Sequence, residues 1–188
     1  MPVIAKKLTW DDIRDLPEDA GRTEIVDGDL VVSPSPSWSH QGIATALGAK
    51  IYPFVRDNKL GRFFSSPVHV VLSRHVNYEP DLCFLSRGRL DLLQGAVIMG
   101  PPDLVIEIVS DDNRTHDTVV KFRDYARYGV AEYWLVDPRD QLVRVCALAG
   151  SSYRDIGIFT AGETVSTLKL SGLILDPEEI FESGQRET

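Results

Sequence analysis

Asp103-Leu104-Val105-Ile106-Glu107-Ile108-Val109-Ser110 is the part of the chain that most strongly constrains the fold. Five of its central positions are leucine or β-branched residues, which predicts a strand covered on both faces. Glu107 interrupts this apolar run, and an unpaired carboxylate is costly in such surroundings. We therefore expect Glu107 to bind a cation, to pair with a base, or to lie where the strand reaches an active-site cleft.

A second acid begins another short apolar run, Asp81-Leu82-Cys83-Phe84-Leu85, directly after Pro80. Neighbouring strands lie about 4.8 Å apart, so Asp81 and Glu107 can reach a common cation if their strands pair. Hard carboxylate oxygens suit Mg²⁺ or Mn²⁺ much better than zinc. The two acids therefore make a metal-dependent site the first hypothesis.

Strands and helices are predicted on both sides of these runs. The expected strands are 23–26, 29–33, 62–65, 68–72, 81–85, 103–110, 132–136, 141–148 and 164–170. The expected helices are 9–16, 38–58, 115–128 and 177–181, with a loop or irregular helix at 86–100. The β-α-β order of 103–136 favours an α/β fold with a mixed sheet flanked by helices and extra N-terminal and C-terminal hairpins. One domain over 1–188 is expected.

Composition narrows the functional classes. A net charge of −8 argues against indiscriminate nucleic-acid binding, although residues 50–90 hold seven basic side chains against three acids. That local excess either guides a phosphate backbone or is an ordinary solvated face. No apolar stretch has membrane-spanning length and no signal peptide is evident, so we expect an intracellular, cytoplasmic protein with no membrane partner. Cys83 and Cys146 are expected to be buried thiols.

The helix predicted after the central strand supplies a basic side chain. Asp117 and Lys121 are four residues apart and therefore lie on one helix face, together with Asp124 and Tyr128. The opposite stripe is expected to face the core and consists of Val119, Phe122 and Ala126. Spacing alone leaves two interpretations open for Lys121, a catalytic cation near the strand ends or a solvated ion pair.

Several segments together carry a family resemblance. They are Pro80-Asp81, residues 102–110, Asp117 with Lys121, and the block Tyr125-Ala126-Arg127-Tyr128-Gly129-Val130-Ala131-Glu132-Tyr133-Trp134-Leu135-Val136-Asp137-Pro138. With residues 24–30 and the helix beginning Ser39-His40, they resemble the Uma-two family, restriction-endonuclease-like proteins of the PD-(D/E)XK nuclease superfamily. The resemblance extends over nearly the whole chain. It implies a restriction-endonuclease-like fold in which Asp81 and Glu107 ligate the metal.

The remaining site residues follow from the same resemblance. The superfamily's lysine lies two positions after the acid, where this chain has Val109, and the resemblance implies that Lys121 replaces it from the next helix. It also implies that Glu24 completes the carboxylate cluster and that His40 lines the cleft, where Asp117 is a further candidate. A surface Glu24 beside a turn and a purely structural His40 remain as alternatives.

We therefore predict a DNA endonuclease that depends on Mg²⁺ or Mn²⁺, with Asp81, Glu107, Lys121 and Glu24 as its catalytic residues. A homodimer is expected for cutting both strands of a duplex. The alternative from another class is a catalytically inactive nuclease-fold module that binds nucleic acid or protein. A third hypothesis is a structural or regulatory homodimer in which Glu107 pairs with a buried base.

Overall fold

Two six-stranded mixed β-sheets and their flanking helices form the computed structural model, which describes residues 6–16, 21–111 and 114–184. Its strands are β1 Arg22–Val26, β2 Asp29–Ser33, β3 Gly61–Ser65, β4 His69–Ser73, β5 Val76–Tyr78, β6 Leu82–Ser86, β7 Leu93–Gln94, β8 Val97–Met99, β9 Leu104–Ile108, β10 Glu132–Asp137, β11 Leu142–Ala149 and β12 Ser152–Phe159. Its helices are α1 Trp10–Ile13, α2 Trp38–Asp57, a 3₁₀ helix at Arg87–Leu92, a π-helical segment at His116–Lys121, α3 Phe122–Tyr128 and α4 Pro177–Glu182.

The first sheet has the strand order β2-β1-β5-β4-β8-β7, and the second has the order β12-β11-β10-β9-β6-β3. Strand β9 lies inside the second sheet, parallel to β10 and antiparallel to β6. The predicted β-α-β unit is therefore confirmed, because α3 lies between the parallel strands β9 and β10 in the chain.

Side chains of β9 alternate between two hydrophobic cores. Leu104, Ile106 and Ile108 pack in the core that includes residues of α2 and α4. Val105 and Val109 pack in the other core, with residues of the first sheet and α3. Glu107 shares the face of Val105, since alternate side chains of a strand point the same way. Burial on both faces accounts for the apolar run around Glu107.

The N-terminal hairpin forms as predicted, with β1 and β2 joined at Asp27-Gly28. Both turn residues have positive φ, 49° and 89°, which is the backbone geometry that favours glycine and aspartate in two-residue hairpin turns. Helix α2 matches the predicted bounds to within one residue. Cys83 and Cys146 are both buried and free, as predicted.

The strand predicted at 164–170 is wrong, because these residues form no strand. The backbone N–H groups of Leu168 and Lys169 donate to the carboxylate of Glu132 at 2.7 and 3.0 Å. The hydroxyl of Thr167 donates to the same carboxylate at 2.7 Å. The buried carboxylate of Glu132 thus accepts the hydrogen bonds that a neighbouring strand would otherwise accept. The C-terminal hairpin is formed by β11 and β12 instead.

Other differences from the predicted elements are local. The region 86–100 contains the 3₁₀ helix and two short strands, and neither β5 nor β12 is predicted from the sequence. Helix α1 begins at a capping box formed by Thr9 and Asp12, but it ends at Ile13 and not at residue 16 as predicted. Asp112 and Asn113, which precede the helix predicted at 115–128, lie outside the described residues. Over the described ranges, no helix combines the length and the apolar character needed to cross a membrane.

Candidate active site

Asp81 and Glu107 face each other across the pair formed by β6 and β9. Leu82 pairs with Ile106, and extending this antiparallel register by one residue places Asp81 opposite Glu107. The two acids are 4% and 1% exposed. The structure therefore brings together the two residues that the sequence singles out as a metal-ligand pair.

A residue that the sequence analysis does not identify lies between these acids. The Nη1 atom of Arg22 donates to Asp81 Oδ1 at 2.9 Å, and Nη2 donates to Glu107 Oε2 at 3.3 Å. Nη2 also donates to the backbone carbonyl of Glu79. The only signal for Arg22 in the sequence is its position two residues before Glu24, because alternate residues of a strand share a face.

Lys121 lies on the other side of Glu107. Its Nζ atom is 3.1 Å from Glu107 Oε1, 2.9 Å from Glu24 Oε1 and 3.6 Å from Asp117 Oδ1. Burial acts to lower the pKa of Lys121, but the carboxylates of Glu107 and Glu24 outweigh it and raise that pKa above its ordinary value. The side chain is therefore a permanent cation at neutral pH, which excludes it as a general base.

The helix face that carries Asp117, Lys121 and Asp124 is buried, since these residues are at most 6% exposed. The predicted core stripe is only partly right: Ala126 is buried and Phe122 packs against the core, but Val119 is 58% exposed. The cause is the π-helical segment His116–Lys121, whose hydrogen bonds span five residues and break the α-helical periodicity on which the prediction depends. The interpretation of Lys121 as a solvated ion pair is therefore wrong.

Glu24 belongs to the same buried cluster, and its 1% exposure contradicts the alternative of a surface residue. Its Oε1 accepts the backbone N–H of Glu79 at 3.1 Å, and its Oε2 is 3.0 Å from Nε2 of His116. Burial raises the pKa of Glu24, but Lys121, His116 and Arg22 together lower it below the ordinary value. Glu24 therefore remains ionised and holds Lys121 in place.

His40 reaches the site from the first turn of α2. Ser37 caps this helix by accepting the backbone N–H of His40 at 3.2 Å, and the ring Nε2 lies 3.1 Å from Asp81 Oδ2. Burial lowers the pKa of His40, but the hydrogen bond with Asp81 and its charge raise it above the ordinary value overall. Asp117, the other residue predicted to line the cleft, contacts Lys121 instead and does not line the cleft.

A cleft of about 970 Å³ opens beside these acids. Asp81, Arg22, His40 and Glu79 line it, together with residues 33–37 before α2 and residues 109–111 after β9. Within the described chain, Glu107, Glu24 and Lys121 are absent from its wall. Asp81 therefore faces the cleft directly, whereas Glu107 lies behind the guanidinium of Arg22.

The buried cluster carries excess negative charge. Four carboxylates (Glu24, Asp81, Glu107 and Asp117) meet two cations, Arg22 and Lys121, which leaves a charge of −2 when all four carboxylates are ionised and the histidines are neutral. Burial, only partly offset by Lys121 and Arg22, raises the pKa of Glu107 to about 7. Burial also raises the pKa of Asp117. Burial also acts to raise the pKa of Asp81, but Arg22, His40 and Lys121 together lower it below the ordinary value.

The donor set fits a divalent cation on two counts. The carboxylates of Asp81 and Glu107 are hard oxygen ligands, and their shared contact with one guanidinium means that both reach a single cationic group. A dication in the place of Arg22 would also leave less negative charge on the cluster than the guanidinium does. In the described part of the chain, no group of three or more His, Cys, Asp or Glu side chains is arranged to hold a metal. Such an ion would therefore retain several waters, as Mg²⁺ commonly does.

Comparison with known proteins identifies a family. The Uma2 family model, described as "Putative restriction endonuclease", matches residues 10–178. The chain belongs to the Uma2 family. This confirms the resemblance to the Uma-two family found in the sequence.

A solved structure supports the fold of this Uma2 protein. It is described as a "putative nuclease belonging to DUF820" from Anabaena variabilis and is 22% identical in sequence. The two structures superpose with a TM-score of 0.80, over 95% of this chain and 99% of the other. The nuclease-like α/β fold predicted from the sequence is therefore confirmed. A comparison with curated proteins found no match.

Proposed function

We propose that this Uma2 protein is a DNA endonuclease that hydrolyses phosphodiester bonds at the cleft beside Asp81 and depends on Mg²⁺ or Mn²⁺. One observation carries the proposal. Two buried carboxylates on paired strands, Asp81 and Glu107, converge on one cationic group at the wall of a cleft. Membership of a restriction-endonuclease-like family supports a nucleic-acid substrate.

Asp81 and Glu107 would hold the metal ion. When bound, Mg²⁺ or Mn²⁺ supplies a Lewis acid that polarises a phosphoryl oxygen and lowers the pKa of an attacking water. Lys121 keeps Glu107 oriented and places a fixed positive charge next to the carboxylates, which favours the negative charge that develops during hydrolysis. Glu24 is the positioning residue that fixes Lys121.

His40 has a supporting role in this proposal. Its ring contacts Asp81 Oδ2, the same oxygen that accepts the backbone N–H of Ile108. These two contacts fix the carboxylate, so that its orientation does not depend on the substrate. His40 also lines the cleft, where a phosphodiester would approach. We further propose a homodimer for cutting both strands of a duplex, which sedimentation analysis would test.

A catalytically inactive nuclease-fold module is the second candidate, and one observation favours it. Every carboxylate oxygen of Asp81 and Glu107 already has a protein donor within 3.3 Å. Arg22 and Lys121 are also the close bases that the hypothesis of a structural Glu107 pairing requires. Such a module would bind no metal at these acids.

Cleavage assays separate the two candidates. Purified protein is incubated with supercoiled, linear and single-stranded DNA in Mg²⁺, in Mn²⁺ and in EDTA. The wild type should cleave in a metal ion and not in EDTA, and Asp81→Ala and Glu107→Ala should each abolish cleavage. Asp155→Ala, which removes a half-exposed carboxylate on β12, is the matched control and should leave cleavage unchanged. Cleavage that survives in both site variants would contradict the proposal.

A further inference from the structure

Arg22 makes contacts that the proposed mechanism does not explain. We propose that Arg22 is the exchangeable counter-cation of the metal site. It neutralises Asp81 and Glu107 when no metal ion is bound, and it withdraws into the cleft when a divalent cation takes its place. This inference rests on the proposed metal site, and it adds a residue on β1 that sets the affinity of that site.

The contacts of Arg22 are those expected of a substitute cation. Its two terminal nitrogens contact Asp81 at 2.9 Å and Glu107 at 3.3 Å, one carboxylate each. Its Nε atom lies 3.6 Å from Glu24, a third carboxylate of the cluster. A planar guanidinium is suited to such bridging, because its donors point in fixed directions toward carboxylate oxygens. Asp81 Oδ1 and Glu107 Oε2 would therefore have to bind either Arg22 or a metal ion.

Arg22 also closes the route to Glu107. The carboxylate of Glu107 is 1% exposed and does not line the cleft, whereas the Arg22 side chain is 18% exposed and does. In the part of the chain that the structure describes, Asp81 is the only one of the two acids that faces the cleft. A cation entering from the cleft therefore reaches Asp81 first and reaches Glu107 only if the guanidinium moves.

Arg22 has open space beside it, which Lys121 lacks. Lys121 is 1% exposed and is surrounded by three carboxylates, Glu24, Glu107 and Asp117. Arg22 borders about 970 Å³ of open cleft, and among the described residues its Nε atom has no hydrogen-bond partner. The side chain can therefore leave by rotation into the cleft, while Lys121 stays as the fixed cation.

Charge explains why a dication can displace Arg22. With its four carboxylates ionised and its histidines neutral, the cluster has a charge of −2 when Arg22 and Lys121 are both in place, so a single guanidinium leaves the carboxylates undercompensated. A divalent ion places twice the charge at the same position. Displacement still has a cost, because Arg22 loses its contacts with the carboxylates and with the backbone carbonyl of Glu79. Removing Arg22 should therefore strengthen binding of the metal ion.

Calorimetric titration with Mn²⁺ alone, without DNA, tests this inference on the full chain. Arg22→Met should bind Mn²⁺ at least about tenfold more tightly than the wild type, since the competing charge is gone. The Mn²⁺-induced rise in Tm should also be larger for Arg22→Met. Arg144→Met, which removes an arginine paired with Asp155 on the β11–β12 hairpin, is the matched control and should bind Mn²⁺ like the wild type.

Arg22→Lys keeps the test decisive if Arg22→Met does not fold. A lysine keeps the charge but lacks the fork that contacts both acids, so it should compete less well and Mn²⁺ should bind more tightly than to the wild type. Adding Asp81→Asn to either variant should abolish the gain. The double variant therefore shows whether the tighter binding arises at this site.

Two results would overturn the inference, and they differ in what they say of the proposed function. If the wild type binds Mn²⁺ but the Arg22 variants bind it equally well or less well, Arg22 is no competitor, while the metal site stands. If neither the wild type nor the Arg22 variants bind Mn²⁺, the inference and the proposed metal site fail together.

Discussion

The backbone N–H of Ile108 donates a 2.7 Å hydrogen bond to the Oδ2 atom of Asp81. Asp81, directly before β6, is thereby fixed to the backbone of β9, one residue beyond Glu107. The pairing of β6 with β9 therefore holds the backbones of the two acids at a set spacing. A preformed geometry of this kind is what a metal site requires of its scaffold.

Removing Lys121 should destabilise the protein and abolish cleavage. Lys121→Met leaves Glu24, Glu107 and Asp117 buried around an apolar side chain, and breaking a buried ion pair in this way costs about 3–5 kcal/mol. Urea unfolding measures the loss. The matched control is Lys50→Met, since Lys50 is a half-exposed partner of Glu179 and should change stability little. Equal stabilities of the two variants would contradict the buried cluster.

Binding of Mn²⁺ should weaken as the pH falls below about 7. The pKa of Glu107 is raised to about 7, chiefly by burial, so the carboxyl group is protonated below this pH and a proton then competes with the cation. Affinity should be constant above this pH and fall about tenfold per pH unit below it. In His40→Gln, the affinity for Mn²⁺ should depend on pH in the same way, with the change of slope at the same pH. If the affinity for Mn²⁺ began to fall only near pH 4.5, the ordinary pKa of a glutamate, burial would not control the pKa of Glu107.

Glu132 should prove to be a structural residue. Its buried carboxylate accepts hydrogen bonds from Trp134, Thr167, Leu168 and Lys169. Glu132→Ala leaves these donors without an acceptor and should cost about 3 kcal/mol, with faster amide hydrogen exchange in residues 164–170. Metal affinity should stay at the wild-type value. Slow exchange that persists in these residues would mean that Glu132 does not hold the segment.

The orientation of the π-helical segment that carries Lys121 can be tested with Val119, and Val130, a buried residue just beyond α3, serves as the reference. Val119 is 58% exposed, and Val119→Ala should change stability by less than about 0.5 kcal/mol. Val130 is 0% exposed, and Val130→Ala should cost about 2 kcal/mol because it leaves a cavity. Denaturant unfolding gives both values. A larger loss at Val119 would restore the orientation predicted from α-helical periodicity.

Much of the fold is predictable from local patterns. The buried strand around Glu107, the hairpin at Asp27-Gly28 and helix α2 all have unambiguous periodicity or turn chemistry. The segment 164–170 is predicted wrongly because its backbone donors bind Glu132, a partner more than thirty residues away. No local pattern contains that information.

The candidate site is predictable in part for a similar reason. Asp81 and Glu107 are conspicuous because each is an acid in an apolar run, and the resemblance places Glu24, Lys121 and His40 beside them. Arg22 gives no such signal, since an arginine at the start of a hairpin usually faces solvent. Its role depends on the register of β1 against β5 and on the three-dimensional position of the acids.

A crystal soaked in Mn²⁺ and measured for anomalous scattering tests the central claim most directly. The account predicts one anomalous peak between the carboxylates of Asp81 and Glu107, with the guanidinium of Arg22 turned into the cleft. Arg22 still bridging the two acids, with no anomalous peak between them at saturating Mn²⁺, would contradict it.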